Sequence, residues 1–203
     1  MNKSLLSLLF VICGAMTAGC STNSSSKIHY YSFDNETQSS TLFVDIKHHD
    51  NKKYSFLVSK IDMPDYLDSQ SIVYQVTDSE VIQTSNNRWV DKLSVILEKS
   101  LIELITNKIP DYVVLQKNIC SGENCQKIFV RIKKFQGNYQ GNAEVSFDWF
   151  LYSDNKLLCL GSQDNKQQLS NNGYPALVKA LESSWDKGVD EMIQKVGLCS
   201  SDK

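Results

Sequence analysis

The stretch Asn-Ala-Glu-Val-Ser-Phe-Asp-Trp-Phe-Leu-Tyr, residues 142–152, decides the fold class of this chain. Apolar side chains alternate in it with Glu144, Ser146 and Asp148. The apolar set comprises Ala143, Val145, Phe147, Trp149 and Leu151. Strict alternation places one set of side chains on each face of a β-strand. The pattern is typical of an antiparallel strand with one buried face and one face in water.

Further β-rich runs lie on both sides of this strand. They cover residues 29–33, 43–46, 54–61, 71–77, 80–84, 112–116, 127–135 and 156–161. The pair Asp154-Asn155 suits a two-residue hairpin turn into the last of these runs. The sequence therefore predicts a sheet of many short strands.

Two segments have the three- and four-residue apolar spacing of an amphipathic helix. The first is expected to start with a cap at Asn86 or Asn87 and to end at Lys108. The second starts at Pro175 and ends at Gly197, which we expect to adopt a left-handed cap conformation. The fold class predicted is α+β: a single domain with a mostly antiparallel sheet and two amphipathic helices packed beside it.

The N-terminus has the layout of a secretory signal peptide. Lys3 gives a positive start, residues 5–16 are almost wholly apolar, and the small residues Thr17-Ala18-Gly19 lead into Cys20. The apolar run is too short to span a bilayer, which needs about 20 residues. The segment also resembles a bacterial lipobox, whose cysteine receives diacylglycerol after cleavage.

We therefore expect the signal peptide, residues 1–19, to be removed and Cys20 to carry diacylglycerol and palmitate. An ordinary signal peptide with an incidental cysteine is the alternative. Residues 20–27 then form a lipidated, polar tether, and residues 28–200 form one periplasmic domain. By resemblance to bacterial sorting rules, Ser21 favours the outer membrane over the inner one.

Four cysteines remain after the signal peptide and the lipidated residue. They are Cys120, Cys125, Cys159 and Cys199. An even number in an oxidising compartment predicts two disulfides, with three possible connectivities. The short Cys120–Cys125 spacing favours a ring between those two, which leaves Cys159 with Cys199. A four-cysteine zinc site is the weaker alternative because the usual CxxC pairs are absent.

The polar residues do not form a catalytic or metal-binding pattern. His48 and His49 are adjacent, so on a strand they point to opposite faces, and His29 stands alone. No nucleophile elbow, HExxH, phosphate-loop or dinucleotide motif occurs. We therefore expect no enzyme, no metal and no cofactor.

Composition argues against a nucleic-acid partner. The formal charge is −2, and only two of the 21 basic residues, Arg88 and Arg131, are arginine, the preferred side chain for phosphate. The three tryptophans, Trp89, Trp149 and Trp185, fall on predicted apolar faces. We expect them in the core rather than in a ligand groove.

One ordered set of motifs is similar to a known family. It consists of Tyr-Tyr-Ser-Phe at 30–33, Ile-Asp-Met-Pro-Asp-Tyr-Leu-Asp-Ser-Gln-Ser-Ile-Val at 61–73, and Asn-Arg-Trp at 87–89 before a helix. In this order, behind a lipobox, it resembles the ABC-type transport auxiliary lipoproteins. Among the positions that match the family pattern are Pro64, Tyr66, Leu67, Arg88 and Trp89. Ser69 and Val90 replace the family's usual arginine and alanine.

The resemblance implies a non-enzymatic auxiliary subunit of an MCE-type intermembrane lipid transport system. It implies a lipid anchor on the periplasmic face of the outer membrane, an MCE-domain protein and a permease as partners, and a homo-oligomer. The matching residues would serve as structural or partner contacts. Two alternatives stay open: a scaffolding lipoprotein of a secretion or outer-membrane assembly machine, and a lipid-binding carrier.

Overall fold

The computed structural model describes residues 27–34, 54–109, 112–116 and 125–200. The described elements are β1 His29–Tyr31, β2 Tyr54–Val58, β3 Ser71–Gln75, β4 Val81–Trp89, α1 Leu93–Lys108, β5 Tyr112–Gln116, β6 Cys125–Asn138, β7 Asn142–Ser153, β8 Lys156–Gln168 and α2 Tyr174–Ser200. The predicted signal peptide, Cys20 and the predicted strand 43–46 lie outside the described residues.

The eight described strands form one sheet around β6. On one side β6 pairs antiparallel with β7, which pairs antiparallel with β8. On its other side β6 pairs in parallel with β2 at its start and with β3 at its end. Beyond these lie β5, parallel to β2, and β4, antiparallel to β3, and β1 runs parallel to β4.

The prediction of a mostly antiparallel sheet was wrong, because the sheet is mixed. Parallel pairs join β1 to β4, β2 to β5, and β6 to both β2 and β3. Alternation along one strand reports which face is buried, but it does not report the direction of the neighbouring strand. The parallel pairs also join distant segments, as in the pairing of Ser55 with Cys125.

The predicted alternation in β7 is confirmed, since its five apolar alternate residues are all buried. Helix α2 packs on this face, where the Phe147 and Trp185 rings lie 5.1 Å apart. Trp185 Nε1 also donates a hydrogen bond to Ser100 Oγ in α1 at 3.1 Å. The two helices are therefore joined to each other and to the sheet through one core.

The helix boundaries correct two predictions. Asn86 and Asn87 belong to β4, and α1 begins at Leu93. Gly197 is not a left-handed cap, because α2 continues through it to Ser200. The described part of the chain contains no helix that is both long and apolar enough to cross a membrane.

The predicted hairpin turn between β7 and β8 is confirmed. Asp154 has φ 50° and Asn155 has φ 63°. Two successive positive φ values belong to the turn type that matches the twist of antiparallel strands. Asp and Asn accept this conformation more readily than most residues do.

Candidate functional site

The loop that carries Pro64 folds into a short turn between β2 and β3. The amide N–H groups of Leu67 and Asp68 both donate to the Pro64 carbonyl, at 2.9 and 3.2 Å. Leu67 is fully buried, whereas the Tyr66 side chain is exposed. The turn therefore anchors itself in the core through Leu67 and presents Tyr66 to solvent.

The same loop holds the end of β4 and the start of α1. The Trp89 N–H donates to the Gln70 carbonyl at 2.6 Å, and the Leu93 N–H donates to the Ser69 carbonyl at 3.2 Å. The residue at the helix cap, Lys92, makes no capping bond with its side chain. The N–H groups in the first turn of a helix have no acceptor within the helix. Here the backbone of the loop supplies an acceptor, the Ser69 carbonyl.

A side-chain contact strengthens this junction. Ser94 Oγ donates to the Asp68 carboxylate at 2.5 Å, within the first turn of α1. A negative charge at a helix N-terminus is stabilised by the helix dipole. We call residues 63–70 and 88–94 together the motif junction, since they contain Pro64, Tyr66, Leu67, Arg88 and Trp89 of the family motifs.

Trp89 is the largest buried residue of the motif junction. It is 1% exposed, and its ring meets Phe33 edge-on at 6.0 Å and Phe135 at 6.1 Å. The predicted core placement is confirmed for Trp89, Trp149 and Trp185, because all three are buried. Trp89 therefore links the junction to the segment that follows β1 and to β6.

Arg88 lies in β4 rather than at a helix start. Its Nε donates to the Ser85 carbonyl at 3.0 Å, and its backbone pairs with Tyr30 in β1 and Ser71 in β3. Because Arg88 lies in a strand, its charge does not meet a helix N-terminus, and a backbone carbonyl is the partner of its side chain. The motif junction thus combines a buried pair, Leu67 and Trp89, with the exposed Tyr66.

The remaining predicted site residues lie away from the junction. A disulfide joins Cys159 in β8 to Cys199 in α2, as predicted. Cys125 begins β6, whereas Cys120 lies outside the described residues, so their pairing stays a prediction. His29 is exposed in β1, and within the described residues no cluster of three or more His, Cys, Asp or Glu side chains could hold a metal.

One polar cluster was missed by the sequence analysis. The Glu144 carboxylate accepts hydrogen bonds from Asn138 at 2.8 Å and Lys134 at 3.3 Å, with Lys166 3.5 Å away. Burial alone would raise the pKa of Glu144, but the Asn138 and Lys134 bonds and the lysine charges hold that pKa below its ordinary value. The cluster fastens the β6–β7 turn; its members lie on three strands, so no local sequence signal could have revealed it.

The face of the sheet opposite α2 carries both charged and apolar side chains. The Phe129 and Phe150 rings lie 5.9 Å apart at an angle of 55°, and Leu160 beside them is 59% exposed. Arg131 Nε donates to Asp62 at 2.8 Å, which ties the segment after β2 to β6. Positive and negative groups are paired here, so this face has no strong charge of one sign.

The chain belongs to the family of ABC-type transport auxiliary lipoprotein components, whose family model matches residues 44–193. The resemblance stated from the motifs is therefore confirmed.

Particular relatives are also similar to this chain. The intermembrane transport lipoprotein PqiC of Escherichia coli K12 is 27% identical over 139 residues, which cover 68% of this chain and 73% of PqiC. The PqiC of Shigella flexneri matches equally well.

Two crystal structures share the fold. One, of an uncharacterized protein, has a TM-score of 0.69 at 20% identity and covers 84% of this chain and 99% of the other. The other, a protein of Xanthomonas campestris, has a TM-score of 0.64 at 16% identity and covers 72% of this chain and 85% of its own. At these identities the likeness concerns the fold alone.

Proposed function

We propose that this protein is a lipid-anchored auxiliary subunit of an intermembrane lipid transport system. In this proposal Cys20 carries the anchor after removal of residues 1–19, and the domain lies on the periplasmic face of the outer membrane. Its partners are an MCE-domain protein and a permease, and it acts as a homo-oligomer without catalysing a reaction. The observation that carries the proposal is the family match across residues 44–193, together with the similarity to a lipoprotein named for intermembrane transport.

The motif junction supports a role in partner contact. Backbone bonds fix the loop around Tyr66, and Gln83 Nε2 donates to the Tyr66 carbonyl at 2.8 Å. The Tyr66 side chain is nonetheless 38% exposed. A tyrosine held on a rigid loop loses little conformational freedom on binding, and tyrosine is enriched among residues that dominate interfaces.

Crosslinking in intact cells tests the proposed partners. The full chain with a C-terminal tag would be crosslinked mildly, extracted in detergent and identified with its neighbours by mass spectrometry. We expect an MCE-domain protein and its permease, and we expect both to be lost in Cys20→Ser. Recovery of a secretion or assembly machine would support the scaffold alternative instead, and co-purified lipid without protein partners would support the carrier.

Tyr66 can be tested in the same experiment. Tyr66→Ser should reduce recovery of the protein partner about tenfold, because a loss of about 1.4 kcal/mol of binding free energy has that effect. Tyr139→Ser is the control, since Tyr139 in the β6–β7 turn is also an exposed tyrosine, 46% against 38% for Tyr66. Equal recovery for both variants would show that Tyr66 is not a partner contact.

A further inference from the structure

Four exposed apolar side chains lie along the β1 edge of the sheet and the neighbouring hairpin. Ile28 is 42% exposed, Tyr30 55%, Val81 44% and Ile82 42%. Ile28 and Tyr30 come directly after the polar tether, and Val81 and Ile82 begin β4. We call these four residues the edge patch.

Strand pairing places three of the four on one face of the sheet. Tyr30 pairs with Arg88, which pairs with Ser71 in β3, and Gln75 of the same strand pairs with Val81. The pairing of β3 with β4 shifts register between Ser71 and Val73, where the extra residues lie in β4, so β3 itself stays regular. Ser71 and Gln75 are four residues apart on β3, and residues an even number apart on a strand share a face. Tyr30 and Val81 therefore lie on the same face, and so does Ile28, two residues before Tyr30.

This face is opposite to the helices. Tyr31, the neighbour of Tyr30, packs on the core side with its ring 6.4 Å from that of Tyr174 in α2. Successive side chains of a strand point to opposite faces, so Tyr30 points away from α2.

The tether limits the distance of the patch from the anchored membrane. Seven residues, Ser21 to Lys27, separate Cys20 from Ile28. A flexible chain of this length averages about 15 Å from end to end, and a fully extended one reaches about 27 Å. Because β1 runs parallel to β4 with His29 beside Asn87, the chain enters from the side on which β4 begins. Val81 and Ile82 therefore lie on the side of the domain where the tether arrives.

The charges around the patch cancel. Lys27 and Arg88 are positive, whereas Asp78 and Glu80 in the β3–β4 turn are negative. A surface of this kind is not attracted to a bilayer by net charge. Its contact with lipid would come from burial of apolar side chains and from a tyrosine ring at the headgroup level.

We propose that the edge patch is the membrane-contacting surface of the domain, and that it rests on the phospholipid bilayer in which the acyl chains of Cys20 are inserted. The inference depends on the Cys20 anchor of the proposed function. It assigns an orientation: β1 and the β3–β4 hairpin face the lipid, and the β7–β8 turn, at the opposite end of the sheet, points away.

Quenching of tryptophan fluorescence tests this orientation in the full, lipidated chain. The native Trp89, Trp149 and Trp185 are at most 1% exposed and supply a constant background. Tyr30→Trp and Val81→Trp place a reporter on the patch face. Leu160→Trp is the matched control, because Leu160 is an exposed apolar residue on β8.

Each protein would be reconstituted in phosphatidylcholine vesicles with and without lipid brominated near the headgroup end of one acyl chain. We expect the brominated lipid to quench the added emission of both patch reporters at least twofold more than that of Leu160→Trp. High salt should leave the difference unchanged. Equal quenching at all three sites, stronger quenching at Leu160→Trp, or loss of the difference in high salt would overturn the proposal.

A flotation assay separates this inference from the proposed function. Protein that floats with the vesicles but shows no preference for the patch reporters would overturn only the orientation. Protein that does not float at all would overturn the Cys20 anchor and, with it, the membrane contact. Thermal melts of the three variants, compared with the parent chain, verify that the substitutions leave the fold intact.

Discussion

At the scale of single residues, Gly161 shows how closely the sheet packs on its own side chains. It pairs with Trp149 across β7 and β8. A Cβ added at Gly161 would lie 2.5 Å from the Trp149 indole ring. The indole therefore occupies the space that a side chain at position 161 would need.

Gly161→Ala should lower the free energy of unfolding by about 2 kcal/mol, because overpacking forces a rigid ring to move. Gly197→Ala is the control, since no heavy atom lies within 4 Å of its Cβ position in α2. It should raise the free energy by about 0.5–1 kcal/mol through the better helix propensity of alanine. Denaturant unfolding measures both values, and an equally stable Gly161→Ala would contradict the packing described.

Two aspartates should respond to pH in opposite directions. Burial raises the pKa of Asp186 in α2, Asp190 and Glu103 nearby raise it further, and Lys108 opposes them. The hydrogen bond from Lys133 lowers the pKa of Asp148, although burial opposes it.

The sign of each effect follows from the two pKa directions. Because the pKa of Asp186 is raised in the folded state, the charged carboxylate lowers the stability of the fold. This loss of stability is absent below the unfolded pKa of about 3.9 and complete above the folded pKa. The lowered pKa of Asp148 means stability that is present above about 3.9 and is lost as the pH falls through its folded pKa. Asp186→Asn should therefore raise the denaturation midpoint at pH 7, whereas Asp148→Asn should lower it. Both differences from the parent chain should shrink under acidic conditions, and equal shifts at every pH would contradict the assignment.

At the scale of elements, the motif loop acts as the N-terminal cap of α1. Asp68 accepts the Ser94 hydroxyl, and Ser69 accepts the Leu93 N–H. Asp68→Ala should cost about 1 kcal/mol, the usual effect of losing a helix cap. A double-mutant cycle with Ser94→Ala should show a coupling of about 1 kcal/mol. Asp65→Ala, in the same loop, should change stability by less than about 0.5 kcal/mol.

The Cys159–Cys199 bond fastens the end of α2 to β8. The two cysteines are separated by 40 residues, and their Cα atoms lie 6.4 Å apart. On the chain-entropy view, a loop of this length stabilises the fold by about 4 kcal/mol. Replacing both cysteines with serine should lower the unfolding free energy by up to that amount. Amide hydrogen exchange should then become faster at the C-terminal end of α2 than in β7. An equal increase in both elements would contradict a local stabilisation of α2 by the disulfide.

At the scale of the whole molecule, local patterns predicted elements but not their arrangement. The apolar alternation of β7, the stripe of α2 and the Asp154-Asn155 turn involve near neighbours, and the structure contains all three. The order of the strands depends on partners far apart in the chain, and there the prediction of a mostly antiparallel sheet failed.

The candidate site was predicted in the same partial way. The motif order named Pro64, Tyr66, Leu67, Arg88 and Trp89, and these residues lie on the two segments that bond to each other at the motif junction. Their part in partner contact stays a prediction. The start of α1 was misplaced because the asparagines at 86 and 87, good capping residues, are used in β4 instead. The actual cap comes from the backbone of Ser69, and a backbone carbonyl leaves no sequence signal.

The central position of β6 also sets an order of events during folding. The β6–β7–β8 meander needs only sequential hairpins, whereas β2 and β3 each need a partner strand, Cys125–Asn138, that lies far along the chain. Pairs between distant segments form slowly, because a long loop must close first. Until β6 is in place, β2 and β3 each have an unpaired edge, and unpaired strand edges are prone to aggregation. A chain truncated before residue 125 should therefore aggregate.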